Sequence, residues 1–323
     1  MPAKRKGKKA KSPVGTESTG IVVRSTGSRI WVKQTDGKLL EAVIRGKFRI
    51  KGIRSTNPVA VGDRVVVAQD EAQELAMITN ILPRDNYLLR KSVNKSHEVH
   101  ILASNIDQAV LVYTLEQPHT TTGFANRFMV IAEAYHIPVV MVVNKIDLLT
   151  SEGQLAKLEE VVNLYRDIGY EVLPISSLDE SAKPKLVELF KDKTSFIGGH
   201  SGAGKSTLVN LVDPDLDLRT GDISDNTLKG RHTTTYAEMF ELAPGGFLID
   251  SPGIKEMGLS AFEAEELSHY FPEMYRLLGA CKFNNCLHVH EPGCAIKKAL
   301  EAGEIHPSRY NSYLSMLEEI QGG

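Results

Sequence analysis

The chain reads as three modules in series: an all-β barrel, a doubly wound α/β domain, and a small, mostly helical domain built around a metal. Three observations predict this order. Short β-rich runs separated by turn residues fill residues 20 to about 82. From about Asp107, apolar strands alternate with helical stretches, the pattern of a parallel sheet covered on both faces. All three cysteines then fall within residues 281–294, in a region whose remaining text is helical.

The length of 323 residues leaves room for two or three cores, and a hydrophobic share of 42% with 24% charged residues is ordinary for a soluble protein. The longest apolar run, 137–143, is too short to span a bilayer. The N-terminus lacks the apolar stretch of a secretory signal. A cytoplasmic protein with no membrane partner is expected. Net charge is −2, but it is unevenly placed. Residues 4–11 carry six Lys/Arg and no acid, and residues 24–95 carry 14 basic against 7 acidic residues. Such a bias suits a polyanion, most commonly nucleic acid. A solubilising tail and a solvated sheet face account for the charge equally well.

Residues 1–17 are rich in Lys, Gly and Ser with almost no apolar side chains, which predicts a disordered basic arm. The all-β module, 18–83, contains the runs 21–23, 30–32, 42–44 and 65–67, with turn signals at Asp36-Gly37, Asn57-Pro58 and Gly62-Asp63. Four or five short strands in so few residues suggest a small closed barrel, of which the oligonucleotide-binding (OB) fold is the common basic example. A segment with Arg84, Arg90, Lys91 and Lys95 links it to the α/β domain, 84–262. There, 109–113, 138–143, 171–175 and 194–197 read as buried parallel strands, and 123–135, 152–168 and 205–212 as helices. Residues 263–323 form the helical module.

The strongest motif is Gly199-His200-Ser201-Gly202-Ala203-Gly204-Lys205-Ser206, a complete G-x4-G-K-[ST] phosphate loop, with Thr207 continuing into the helix. Small residues let successive backbone N–H groups face the phosphates, assisted by the helix dipole. Lys205 would neutralise the β/γ oxygens, and the Ser206 hydroxyl would ligate Mg²⁺. Asn144-Lys145-Ile146-Asp147 selects the base. The Asp147 carboxylate can accept both the N1–H and the exocyclic amine of guanine, whereas adenine would leave it unsatisfied, which predicts GTP/GDP. Asn144 is expected to read the base with it. Ser176-Ser177, at the end of the next strand, can supply a backbone contact to the base O6.

Asp250-Ser251-Pro252-Gly253 follows an apolar run, so Asp250 can hold Mg²⁺ through water while the Gly253 amide reaches the γ-phosphate. Between this segment and the phosphate loop lies Gly230-Arg231-His232-Thr233-Thr234-Thr235. One of its threonines is the expected second hydroxyl ligand of Mg²⁺. Spacing does not decide among the three, and Thr234 is taken. Ile254 occupies the position where many GTPases carry a water-orienting Gln. Either hydrolysis is slow and partner-stimulated, or another group acts, with His232 the nearest polar candidate. A role for His232 in binding phosphate or loop backbone fits as well.

The motifs run 144–147, 176–177, 199–206, 230–235 and 250–253. This is the usual GTPase cycle opened between its third and fourth members, a circular permutation. Because every motif sits at a strand end, rejoining the chain elsewhere leaves the pocket unchanged. The chain after Gly253 then runs directly into the C-terminal module. There, Cys281, Cys286, His288 and Cys294 offer three thiolates and an imidazole, a tetrahedral set for one structural Zn²⁺, with His290 the rival for the fourth place.

Taken together, these residues resemble the circularly permuted, small-ribosomal-subunit-dependent GTPases of bacteria. The resemblance spans nearly the whole chain, including 199–207, 230–235, 250–253 and the zinc segment with the following Ala295-Ile296-Lys297-Lys298-Ala299. It implies an OB barrel, a permuted GTPase domain and a zinc domain. Together these would grip the small subunit, through ribosomal RNA near its decoding region, during late maturation. It also implies GTP hydrolysis stimulated by the subunit, with the histidine matching His232 proposed as catalytic; a monomer is expected. The lysine-rich arm is not a signature of that family.

Overall fold

The computed structural model describes residues 16–44, 58–69, 73–91, 99–216, 237–250, 259 and 262–322. The predicted arm therefore lies outside the described residues apart from Thr16 and Glu17. Those two already belong to the first strand, β1 (Thr16–Ser25), opposite Gln69 and Ala68.

β1, β2 (Ile30–Gln34), β3 (Leu39–Ile44), β4 (Arg64–Gln69) and β5 (Ala76–Ile81) close into a barrel. The strand order is β1-β2-β3-β5-β4, β1 pairs again with β4, and β3 lies parallel to β5. That closure is the five-stranded OB arrangement. Alternation along the strands turns Val22, Ile30, Val32, Ala42, Val65, Val67 and Ile78 inward as one core.

The stretch read as a linker is a strand pair, β6 (Tyr87–Lys91) against β7 (Val99–Ser104). Arg84, which begins it, is half-buried as a residue, with its side chain 9% exposed. Its guanidinium donates twice to Asp63, at 2.6 Å each, and once to the Pro58 carbonyl at 3.0 Å. Asp63 is fully buried and also accepts from Ser104 Oγ at 2.6 Å and Ala60 N–H at 2.8 Å. A buried charge needs such complete pairing. The network clamps the barrel to the strand that leads into the next domain.

That domain follows as β8 (Gln108–Tyr113), α1 (Thr122–Ala134), β9 (Val139–Val143), α2 (Glu152–Ile168), β10 (Glu171–Pro174), α3 (Lys183–Phe190), β11 (Thr194–Gly199), α4 (Lys205–Val212), β12 (Glu238–Glu241) and β13 (Phe247–Asp250). Its strands run in the order β10-β9-β8-β11-β13-β12, parallel except for β12. β8 and β9 are buried at every position, as strands covered on both faces must be. Helix ends follow local chemistry. Thr121 caps α1 by accepting from Phe124 N–H, and Ser151 with Gln154 forms a capping box on α2, which Gly169 ends in the left-handed region. β12 pairs with β1 at Glu238 and Arg24, so barrel and α/β domain share one continuous sheet.

The last module contains a 3-10 stretch Ala264–Tyr270, α5 (Pro272–Tyr275), α6 (Ala295–Glu301) and α7 (Pro307–Gly322). It has no separate core: Phe271, Met274, Tyr313 and Leu317 join Phe128, Met129 and Tyr165 of α1 and α2 in one apolar cluster. Inside this seam, fully buried Arg309 donates to both oxygens of Glu273, at 2.6 and 3.1 Å, and to Asn126 Oδ1 at 2.9 Å. Asn126 in turn donates to Ser312 Oγ at 2.8 Å and accepts from Tyr165 OH at 2.9 Å.

Candidate functional site

The phosphate loop leaves β11 at Gly199 and enters α4 at Lys205. Its glycines are dictated by close approaches. A Cβ on Gly199 would stand 2.5 Å from the Val112 carbonyl oxygen, and one on Gly204, at φ +95°, 2.4 Å from Asn144 Nδ2. Lys205 is buried, with its ammonium donating to the carbonyls of Gly199 at 3.0 Å and His200 at 2.9 Å, so it lies across the loop. Ser206 is buried beside it and Ala203 is fully enclosed. The His200 ring stacks on Phe124 of α1 at 4.1 Å, while Ser201 and Gly202 form the loop's outer turn. Thr207 lies in the first turn of α4.

The structure shows Asn144 bracing the site. It is 2% exposed, and its amide donates to the Ala203 carbonyl at 2.9 Å while its oxygen accepts from Ser177 N–H at 2.9 Å. Asn144 thus ties the phosphate loop to the serine segment. Lys145 adopts φ +63° and donates from Nζ to the Gln117 carbonyl at 2.6 Å, fixing the loop after β8. Asp147, one residue into a 3-10 turn, lines a cavity of about 440 Å³ together with Ile146, Ser176, Leu178 and Asp179. A pocket of this size at the carboxyl ends of parallel strands suits a purine nucleoside. Ser176 is buried at its wall, and Ser177 next to it is buried too. Asp250 ends β13, the strand beside β11. Its side chain, and all of His232, Thr233, Thr234, Thr235, Gly253 and Ile254, lie outside the described residues.

In the last module, Cys281, Cys286, His288 and Cys294 bring one ligand atom each to within 4.8 Å of one another. The Sγ atoms of Cys281 and Cys294 are 4.0 Å apart, and His288 Nδ1 lies 3.7 and 3.4 Å from them. Tetrahedral zinc with ordinary bond lengths requires edges of about 3.8 Å between sulfurs and about 3.6 Å from sulfur to nitrogen, so the donor set fits. Ala295 N–H donates to Cys281 Sγ at 3.3 Å, a contact that favours thiolate. Burial pushes the Cys286 thiol up to about 12 and holds His288 below the ordinary imidazole value. A cation must therefore displace the Cys286 proton, while burial favours the neutral, ligating form of His288. His290 is exposed, donates its N–H to Glu291 and is not in the cluster.

Sequence reasoning missed the residues that lock these parts together. Phe124 under His200, and Asn126 with Arg309 and Glu273, carry no motif. The charge reading also changes. Arg24, Arg29, Lys33, Arg64 and Arg84 each meet a carboxylate, on Glu238, Glu41, Glu241, Asp85 and Asp63 respectively. Arg45, Lys47, Arg49, Lys51, Arg54 and Lys95 lie outside the described residues.

A phosphate loop and an Asn-Lys-x-Asp turn at the carboxyl ends of one parallel sheet, reached in rotated order, define a circularly permuted guanine-nucleotide-binding protein. Comparison with known proteins agrees. The profile of the RsgA GTPase matches residues 81–260, and that of the RsgA N-terminal domain matches 19–78. The small ribosomal subunit biogenesis GTPase RsgA of Flavobacterium psychrophilum is 50% identical over 302 residues, covering 93% of this chain and 92% of that one. Its namesake in Bacteroides fragilis is 47% identical over 304 residues, covering 94% and 97%. Among solved structures, YjeQ from Thermotoga maritima superposes with a TM-score of 0.78 at 34% identity, covering 95% of this chain and 100% of that one. YloQ, described as a circularly permuted GTPase, gives 0.74 at 29%, covering 97% and 98%. The chain belongs to the RsgA GTPase family, and it is a GTPase.

Proposed function

We propose that this GTPase acts in late maturation of the small ribosomal subunit, binding its RNA and hydrolysing GTP in a subunit-stimulated manner that times its own release. The observation that carries this reading is the Asn144 brace. It makes the phosphate loop and the base-side segment one unit, on a sheet that continues into an OB barrel. Relatives that match nearly end to end are named for small-subunit biogenesis.

In this reading Asp147 selects guanine, with the Ser176 and Ser177 segment beside the base, and Lys145 holds the neighbouring loop. The backbone of 199–204 cradles the phosphates, and Lys205 turns from the carbonyls it now holds to the β/γ oxygens. Ser206, Thr234 and Asp250 would hold Mg²⁺, which would supply neutralisation of phosphate charge. Gly253 senses the γ-phosphate. His232 orients the attacking water, since Ile254 has no group for it. One Zn²⁺ on Cys281, Cys286, His288 and Cys294 holds the last module. Residues 18–83, 84–262 and 263–323 serve as RNA-binding barrel, GTPase domain and zinc domain of a cytoplasmic monomer. Among the described residues no helix is long and apolar enough to cross a membrane.

Ile254 gives one competing reading some support: an RNA-binding scaffold switched by guanine nucleotide without significant turnover. Measuring GTP turnover with and without small subunits separates the two. Strong stimulation is expected, and equal rates would sink the enzyme-timed mechanism.

A further inference from the structure

We propose that the loop between Cys281 and Cys286 is an RNA-reading tip, in which Phe283 stacks on an unpaired base and Lys282 meets an adjoining phosphate. The inference rests on the reading that small-subunit RNA is the partner, and it names the surface and the kind of contact. The first observation is an aromatic side chain without a structural task. Phe283 keeps 40% of its surface in solvent and is absent from the apolar cluster that takes its neighbours Cys281, Leu287 and Val289. The Lys282 ammonium sits 5.5 Å from the Phe283 ring centroid. Asn284 and Asn285 complete an exposed run of four residues. Both ends of this run are cysteines of the four-ligand cluster, so the tip would be presented pre-ordered.

A π-face beside a cation, followed by two amides able to hydrogen-bond a base edge, is the chemistry that recognises unpaired nucleotides. Charge decides between RNA and a protein partner. Residues 276–298 carry four basic groups, Arg276, Lys282, Lys297 and Lys298, against one acid, Glu291. That acid is turned inward: its carboxylate accepts from the N–H groups of Leu287 at 2.8 Å, Val289 at 2.9 Å and His290 at 3.0 Å. The flanks have the opposite sign. Residues 262–275 contain four acids and no Lys or Arg, and residues 299–323 contain four acids and one Arg. Within an acidic module, the Lys and Arg residues thus fall in the sequence segment that carries the exposed aromatic tip. Arg276 is turned to the Ile168 carbonyl, which leaves Lys282 at the tip and Lys297 and Lys298 in the same segment, a sign of charge complementary to a phosphate backbone.

The test uses the full-length, zinc-loaded protein with purified small subunits and a non-hydrolysable GTP analogue, titrated at several salt concentrations. Phe283→Ala is expected to weaken binding by about five- to a hundredfold, the range of one lost base stack, and Phe283→Trp to restore it. The salt dependence of Phe283→Ala should match that of the parent, whereas Lys282→Ala should lower the slope by about one. Zinc content and melting temperature, unchanged in these variants, establish that the fold is intact. A photocrosslinking amino acid at position 283 should capture RNA. Parent-like affinity in Phe283→Ala, or capture of ribosomal protein alone, overturns the proposal and leaves the function above standing. Absence of subunit binding by the parent itself overturns both.

Discussion

Replacing Asn144 with Ala tests whether the nucleotide pocket depends on a side chain that need not touch the nucleotide. Two hydrogen bonds of 2.9 Å disappear, leaving the Ala203 carbonyl and the Ser177 N–H without their partner in a site where Asn144 itself is 2% exposed. A buried backbone group left unpaired costs about 1–3 kcal/mol, so the pair is worth about 2–6 kcal/mol. Without nucleotide, the loop can relax and hydrate both groups. The penalty then falls on the bound state, in which the loop must be drawn back under the phosphates. Taking the lower half of the range, about 2–4 kcal/mol, GDP affinity should fall by roughly 30- to 1,000-fold. Asn144→Asp is expected to do no better, because its carboxylate keeps the acceptor for Ser177 but opposes the Ala203 oxygen. Fluorescent GDP titration gives the dissociation constant, and near-unchanged circular dichroism and zinc content show that folding is retained. Affinity within about twofold of the parent would refute the brace.

Arg309→Met strands the Glu273 carboxylate in the seam between α1 and α7 and removes one of the two donors to the Asn126 oxygen, leaving Tyr165 OH. Breaking a buried pair from one side costs about 3–5 kcal/mol, so the melting temperature should drop by several degrees. Combining it with Glu273→Leu should recover part of the loss, and equal melting of parent and single variant would refute the buried-charge account. For the metal centre, His288→Ala should lower the zinc measured per chain below one, whereas His290→Ala should keep one equivalent. Elemental analysis of the purified variants distinguishes them, and the reverse pattern would exchange the ligand assignment.

What could be read from the sequence was whatever chemistry imposes on short contiguous spacing. The phosphate loop, the Asp147 turn and the cysteine cluster each need fixed residues a few positions apart, and each lies where that spacing places it. The barrel strands were legible because the module buries one face, so alternation survives in Val22, Val32 and Val65 to Val67. Side chains whose partners are far away in sequence were not legible. Arg84 looks like one of several linker cations, yet it is 21 residues from Asp63 and paired with that buried carboxylate. Arg309, in a helix with polar neighbours, reads as a solvated charge; its partners are 36 and 183 residues away. Asn144 was visible as a motif member, but the use of both its amide atoms depends on where Ala203 and Ser177 arrive.

The permutation also acquires a physical meaning from the sheet order. β11, which delivers the phosphate loop, lies between β8 and β13. β8 is the strand entered from the barrel through β7, and it is pinned to β11 where Asp107 accepts from Thr194 N–H at 2.7 Å and its own N–H returns to the Thr194 carbonyl at 2.9 Å. β13 is the strand from which the chain leaves for the helical module. In an unpermuted order neither neighbour of the phosphate-loop strand would carry a domain connection of this kind. Opening the cycle here leaves every pocket residue at the same strand end, because the parallel pairing does not depend on which loops join the strands. Both flanking modules thereby hang from strands hydrogen-bonded to the one that holds the phosphates. α1 adds a second route, touching His200 of the loop through Phe124 and Arg309 of the helical module through Asn126, two residues along the same helix. A strand and a helix that each contact the phosphate loop and a flanking module give a rigid connection between nucleotide and partner surfaces that no single motif encodes.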